Sequence, residues 1–191
     1  MSDIHGLLLC GTQLSRLNYD RGLAKHRGKT WAEISHQKLS KFCKNTFVSV
    51  TGSQVANYSH IFGSNNTIKD SVQIKGPLAG LLSAHLAHPD YDFLVLACDQ
   101  LDIKIDTLEL LLRKYNYSNE SDVIMYQHLG KPQPLPGIYT SNLLRDILQR
   151  YRKATDRTDM SLHSSIKNAS ICSFHLPEAK VSEFKTILRH H

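Results

Sequence analysis

The stretch Leu7-Leu8-Leu9-Cys10-Gly11-Thr12-Gln13-Leu14-Ser15-Arg16-Leu17-Asn18-Tyr19-Asp20-Arg21-Gly22-Leu23 decides how the chain is read. Four apolar residues give way at Gly11 to a loop that is mainly small, polar and basic. A short apolar run closed by glycine reads as a buried strand entering a tight turn. A strand that is apolar throughout, rather than at alternate positions, belongs inside a parallel sheet. Open α/β sheets bind ligands just beyond the carboxyl ends of such strands. This turn offers backbone N–H groups, and Arg16 and Arg21 add fixed positive charge, which together suit a phosphate chain. No Gly-Lys-Ser/Thr closes a Walker P-loop, and only one glycine sits at the turn, so G-x-G-x-x-G is absent too. A plain βα turn with a solvated basic surface is the alternative reading of these residues.

Outward from this stretch, strands and helices alternate. After Thr30, the residues Trp31, Ile34, Leu39 and Phe42 form a helical apolar stripe. Phe47-Val48-Ser49-Val50 is a second strand. The segment from Gln54 to Asn66 is rich in loop residues with room for one short helix, and Thr67 to Asp70 forms a short third strand. Pro77 suits the first turn of a helix that runs to about His88 and stops before Pro89. Gly76 and Gly80 allow close backbone approach. Asp92-Phe93-Leu94-Val95-Leu96-Ala97-Cys98 is the clearest buried strand, and it ends in Asp99. A helix from Ile105 to Tyr115 follows, then a strand at Val123 to Tyr126. Lys131 to Gly137 reads as a rigid loop before the short pair Ile138-Tyr139. An amphipathic helix spans Asn142 to Lys153, another lies near Met160 to Ile166, a last strand covers Ile171 to Phe174, and a helix from Pro177 to Leu188 closes the chain. The pattern predicts one α/β domain over residues 1–191, three layers thick with a mostly parallel central sheet.

Composition narrows the function classes. Apolar residues make up 41% and charged residues 21% of the 191, the balance of a soluble globular chain. No apolar run approaches the roughly 20 residues of a membrane span, and no basic region precedes the first apolar run as in a signal peptide. The expected compartment is therefore the cytoplasm, with no membrane partner. Net charge is 23 − 17 = +6. The basic residues are dispersed, with no basic tail and no aromatic-interleaved RNA motif, so a small anionic substrate is favoured over nucleic acid. Cys10, Cys43, Cys98 and Cys172 lack C-x-x-C spacing and read as buried, reduced thiols. The eleven histidines contain no H-E-x-x-H.

Asp99 carries the chemistry. A carboxylate at the carboxyl end of a buried strand, on the same sheet edge as the Gly11 turn, can hold Mg²⁺ together with substrate phosphates. The alternative is a helix N-cap, a place Asp also favours.

The opening stretch resembles the N-terminal signature of the molybdenum cofactor guanylyltransferases, the MobA family: Leu-Ala-Gly-Gly-x-Ser-x-Arg-Met-Gly-x-Asp-Lys-Ala. Leu9, Gly11, Arg16 and Asp20 match it. Cys10, Leu17 and Arg21 stand in for Ala, Met and Lys. Thr12, Leu14 and Asn18 depart from its second Gly, its Ser and its third Gly. Gly76-Pro77-Leu78-Ala79-Gly80 is identical to a second family motif. Cys98-Asp99 matches the start of the family's Cys-Asp-x-Pro, with Gln100-Leu101 in place of x-Pro. Gln133-Pro134-Leu135 through Tyr139 is similar to its Glu/Gln-Pro-Leu-x-x-x-Tyr. The matches run from Leu7 to Tyr139; the family's closing Asn-x-Asn-Thr-Pro is absent.

The resemblance implies a Rossmann-like nucleotidyltransferase fold that transfers GMP from GTP to molybdopterin and releases pyrophosphate. It implies catalytic roles for Arg16, Arg21 and Asp99, with Asp99 holding Mg²⁺. It implies a nucleotide site at Leu9, Cys10, Gly11, Arg21, Thr51, Asp70 and Asp99, and a pterin side at Gly76, Pro77, Gln133 and Pro134. GTP and molybdopterin are the implied partners, with molybdoenzymes or their chaperones downstream. Two alternatives stay open: a CTP-using relative, and a non-catalytic one, which Thr12, Leu14 and Asn18 favour.

Overall fold

The computed structural model describes residues 3–11, 13–14, 19–118 and 120–184. In chain order the strands are β1 (His5–Leu9), β2 (Gln13–Leu14), β3 (Tyr19–Asp20), β4 (Lys25–His26), β5 (Lys29–Thr30), β6 (Thr46–Val50), β7 (Thr67–Lys69), β8 (Phe93–Ala97), β9 (Val123–His128), β10 (Lys131–Tyr139) and β11 (Ile171–His175). The helices are α1 (Trp31–Leu39), α2 (Val55–Phe62), α3 (Pro77–Ala87), α4 (Ile105–Tyr117), α5 (Ser141–Lys153) and α6 (Leu162–Ser165). Seven strands form one sheet in the order β11-β9-β10-β8-β1-β6-β7. It is parallel except for β10, which runs against both β8 and β9.

Successive side chains of a strand point to opposite faces, and β1 shows what its unbroken apolar run is for. Leu7 and Leu9 enter a core with Leu78, Leu81 and Leu82 of α3 and Leu144 and Ile147 of α5. Leu8 and Cys10 enter a second core with Leu39 of α1, Tyr58 of α2 and Leu108 and Leu111 of α4. With both faces covered, the sheet is the middle of three layers, as the sequence predicts. The helix after Thr30 begins with a capping box. The Glu33 backbone N–H donates to Thr30 Oγ1 at 3.1 Å, and the Thr30 N–H donates to the Glu33 carboxylate at 2.7 Å. A cap of this kind stabilises a helix by about 1 kcal/mol. No helix among the described residues is long and apolar enough to cross a membrane.

Several expectations need correction. Lys131 to Gly137 is not a loop: it joins Ile138-Tyr139 in the nine-residue β10, with a bulge between Gln133 and Gly137. The bulge takes Pro134 and Pro136 out of the ladder, and Pro132 can turn its N–H-less nitrogen away from β9 because successive backbone nitrogens of a strand point to opposite edges. The N–H groups of Lys131 and Gln133 are then free for the β9 side, and pairing with β8 starts only at Gly137. Gly76 does not serve close approach; its φ is +80° and a Cβ there would meet open space. Gly80 does serve it, since a Cβ would stand 2.5 Å from Ser49 Oγ and 2.7 Å from Leu9 Cδ2. Cys10 and Cys98 are buried free thiols, but Cys43 and Cys172 are only half-buried. The closing helix is a 3₁₀ turn at Glu178–Phe184, tied to α4 by Glu183, which accepts from Thr107 Oγ1 at 2.6 Å. Its expected continuation to Leu188 lies outside the described residues.

Candidate active site

Registry places the site. Leu9 stands opposite Ser49 and Ala97, and Val50 opposite Lys69. Parallel strands held in register end together. The residues that follow them, Gly11, Thr51, Asp70 and Asp99, therefore meet at one sheet edge although they are far apart in sequence. A cleft of about 670 Å³ opens there; Leu9, Gly11, Thr51, Asp70, Gly76 and Pro77 all line it.

Asp70 is held rather than free. Ser49 Oγ donates to its Oδ1 at 2.5 Å, and Oδ2 lies 2.6 Å from where a Cβ on Gly11 would stand. Only glycine leaves room for the carboxylate at the turn. Burial pushes the Asp70 carboxyl above its usual range, and the Ser49 hydroxyl draws it part of the way back. A carboxyl raised on folding takes up protons on folding. Its contribution to stability is present below the unfolded carboxylate range and is lost as pH rises through the folded value. Asp70→Asn is therefore expected to raise the melting temperature of the ligand-free chain at neutral pH, with no gain in acid below the unfolded range. Nucleotide affinity should fall roughly tenfold, the cost of one lost charged hydrogen bond. Melting curves at two pH values and a nucleotide titration check both halves.

Arg21 and Asp99 form an ion pair, with Nη1 donating to Oδ2 at 2.8 Å and side chains 12% and 15% exposed. Arg21 starts the 3₁₀ turn Arg21–Leu23, which Asp20 caps by accepting from the Gly22 N–H at 3.0 Å. Asp99 is not a helix N-cap: α4 begins six residues later, behind Lys104. Arg16, together with Thr12 and Asn18, lies outside the described residues.

Two assignments change. Cys10 does not line the cleft. Its side chain turns to the opposite face of the sheet and is 1% exposed, its N–H donates to the Ser49 carbonyl, and its carbonyl accepts from Gln54. On β10 it is Leu135, not Gln133 or Pro134, that reaches the cleft wall. Gln133 Nε2 donates to the Lys131 carbonyl at 3.4 Å and the Pro134 carbonyl accepts from the Tyr139 hydroxyl at 2.6 Å. Thr51 lines the cleft with its N–H and hydroxyl both donated to Gln54.

Sequence reading missed Ser49, Gln54 and Gln100. Gln100 Oε1 accepts from the Ala97 N–H and its Nε2 donates to the Leu135 carbonyl, joining the end of β8 to the β10 wall. Ser49 had a signal, as the lone polar residue in an apolar strand. Gln54 had one too, since Thr51-Gly52-Ser53-Gln54 carries the Thr-x-x-Gln spacing of a capping box; Gln100 had none, since its reach to Leu135 is set by the fold.

Among the described residues no group of three or more His, Cys, Asp or Glu could hold a metal ion. Mg²⁺ asks for less, one or two carboxylates with phosphate and water completing its shell. Asp99 does not itself line the cleft, whose wall on β8 is Ala97, but two residues further on it is a hard oxygen donor, 15% exposed and held by Arg21, and fits that requirement.

A mostly parallel sheet between two helical layers, with such a cleft beyond its strand ends, is a Rossmann-like α/β fold, the class to which nucleotidyltransferases belong. Residues 6–168 match the MobA-like NTP transferase domain, and the chain belongs to that family. It is 26% identical over 164 residues to the molybdenum cofactor biosynthesis bifunctional protein of Synechocystis sp., covering 86% of this chain and 45% of that protein. The chain thus spans about half the length of that relative. It is 29% identical over 145 residues to the "Probable molybdenum cofactor guanylyltransferase" of Flavobacterium johnsoniae, covering 75% and 72% of the two. Its fold is similar to that of molybdopterin-guanine dinucleotide biosynthesis protein A from Archaeoglobus fulgidus, with a TM-score of 0.75, 19% identity, and coverage of 96% and 92%.

Proposed function

We propose that the chain transfers GMP from GTP to molybdopterin. The terminal phosphate oxygen of molybdopterin would bond to the α-phosphorus of GTP while the bond to the β-phosphate oxygen breaks, and pyrophosphate leaves. The observation that carries this reading is the convergence of Gly11, Asp70, Gly76 and Pro77 on one cleft near the end of β8, which carries the Arg21–Asp99 pair, in a chain whose relatives include two named "Probable molybdenum cofactor guanylyltransferase". Phosphoryl and nucleotidyl transfer rely on positioning and charge stabilisation more than on covalent chemistry, and the site supplies both. The Gly11 turn seats the phosphate chain, Arg21 contributes cationic charge and Asp70 orients the nucleoside. Asp99 is the residue to hold Mg²⁺, whose charge would offset that of the phosphates. Leu135, Gly76 and Pro77 wall the side open to the second substrate. Arg21 replaces the Lys of the family signature, keeping the charge and widening the donor fork. The compartment consistent with this role is the cytoplasm, and molybdoenzymes or their chaperones would receive the product.

Calorimetric titration with GTP and with CTP, each with and without Mg²⁺, tests the reading. Mg²⁺-dependent binding of GTP with CTP silent is the expected result, to be followed by a pyrophosphate-release assay with molybdopterin. Preference for CTP would move the chain to a cytidylyl reaction. Binding of neither would leave a fold that has lost turnover.

A further inference from the structure

We propose that Gln54 is a positioning residue: its buried carboxamide fastens together the three segments from which the nucleotide cleft and its ion pair are built. Gln54 is 3% exposed, and both ends of the amide are in use. Oε1 accepts from the Thr51 N–H at 3.0 Å and from the Thr51 hydroxyl at 2.8 Å. Nε2 donates to the Cys10 carbonyl at 3.2 Å and to Asp20 Oδ2 at 2.7 Å. These partners dictate the orientation of the amide, because an N–H can only donate and a carbonyl can only accept. One side chain so joins the residue before Gly11, the loop after β6 and the carboxylate at the end of β3. Asp20 passes the constraint on. Its other oxygen accepts from the Gly22 N–H and from the Tyr58 hydroxyl at 2.8 Å, and Gly22 is the neighbour of Arg21, which reaches Asp99. No other side-chain type supplies two donors and two acceptors at neutral charge in this shape except asparagine, which is one methylene too short.

The geometry stands by itself; the effect on nucleotide rests on the guanylyltransferase reading. The test therefore has two arms, applied to the full chain and to Gln54→Leu and Gln54→Glu. In the first arm, amide hydrogen exchange is followed by NMR at Thr51 and Gly22 without nucleotide. Faster exchange in Gln54→Leu is expected; unchanged protection overturns the fastening, whatever the chain binds. The second arm is calorimetric affinity for Mg²⁺–GTP at about pH 5.5 and about pH 8, each variant compared with the unsubstituted chain at the same pH. Gln54→Leu should weaken binding roughly tenfold at both, the usual consequence of stranding buried polar partners. Gln54→Glu should bind within about threefold of the parent at the lower pH and at least tenfold more weakly at the higher. Protonated, the new carboxyl can donate to Asp20; ionised, it repels it. The other titratable groups facing this position are Tyr58 from α2, Cys10 at the end of β1 and Cys98 beside it. Burial pushes the Tyr58 hydroxyl and the Cys10 thiol upward, so neither ionises in this range. Equal weakening at both pH values would mark a packing role only and overturn the proposal, as would full affinity in both variants. A parent chain that binds neither GTP nor CTP overturns the guanylyltransferase reading instead, and the exchange arm still decides the fastening.

Discussion

Asp99→Asn is expected to lower the rate of Mg²⁺-dependent GMP transfer by roughly 10²–10³, the loss that follows removal of one well-placed charge-stabilising group. The substitution keeps the shape of the side chain and an oxygen that can accept from Arg21, and it removes the negative charge. Asp99 follows a strand whose Phe93, Leu94, Val95 and Leu96 are fully buried, so the backbone that carries it does not depend on the carboxylate. Arg21 loses its counter-charge at a mostly buried site, which should cost a few degrees in melting temperature at most, roughly 2–4 °C. Pyrophosphate release measured against Mg²⁺ concentration checks the prediction, with GTP affinity in the absence of Mg²⁺ as the companion measurement. A variant as fast as the parent at every Mg²⁺ concentration would remove Asp99 from the reaction.

Gly80→Val should produce the largest loss of stability of any single change at the site, about 3 kcal/mol. The helix α3 lies so close to β1 and β6 that even one added carbon meets Ser49 Oγ at 2.5 Å and Leu9 Cδ2 at 2.7 Å. Both strands are interior to the sheet, and their Leu7, Leu8, Val48 and Val50 are fully buried, so neither can move aside cheaply. The midpoint of thermal unfolding should fall by roughly 6–12 °C. Leu86→Gln on the same helix, at a residue 41% exposed, should leave it nearly unchanged. The clash has a functional side as well, because Ser49 is the residue that holds Asp70. Gly80→Ala combined with Ser49→Ala should be less unstable than the sum of the two single variants, since the second change removes the nearest obstructing atom. Simple additivity in that cycle would show that Ser49 is not where the helix is stopped.

The legible parts of this protein are those whose signal is local. Leu7 to Leu9 and Phe93 to Ala97 are apolar without alternation, which reports burial on both faces, and both strands proved central. The apolar stripe behind Thr30 marks the buried face of a helix, and Thr30 itself marks the helix start. Gly76 and Pro77 mark another, although the glycine is there for its left-handed backbone and not for closeness. The last third was harder. The prolines of Lys131 to Gly137 read as a loop because a proline cannot pair within a sheet interior; a bulge between Gln133 and Gly137 takes Pro134 and Pro136 out of the ladder, which makes a strand possible again. Cys10 illustrates a different limit. Its place in the signature suggests contact with the nucleotide, yet the period of two along β1 sends its side chain to the opposite face from Leu9.

By itself, then, the sequence determined the alternation of strands and helices, the burial of β1 and β8 and the family to which these motifs are similar. Each is written in spacing of a few residues, where backbone geometry and hydrophobicity act directly. Only the tertiary structure decided which groups face one another: Asp99 with Arg21, 78 residues apart, Asp70 with Ser49, and Gln54 with Cys10 and Asp20. Those pairings depend on sheet order and on the register of β1 against β6 and β8. Order and register are settled by the packing of whole layers, so no short stretch of the chain records them.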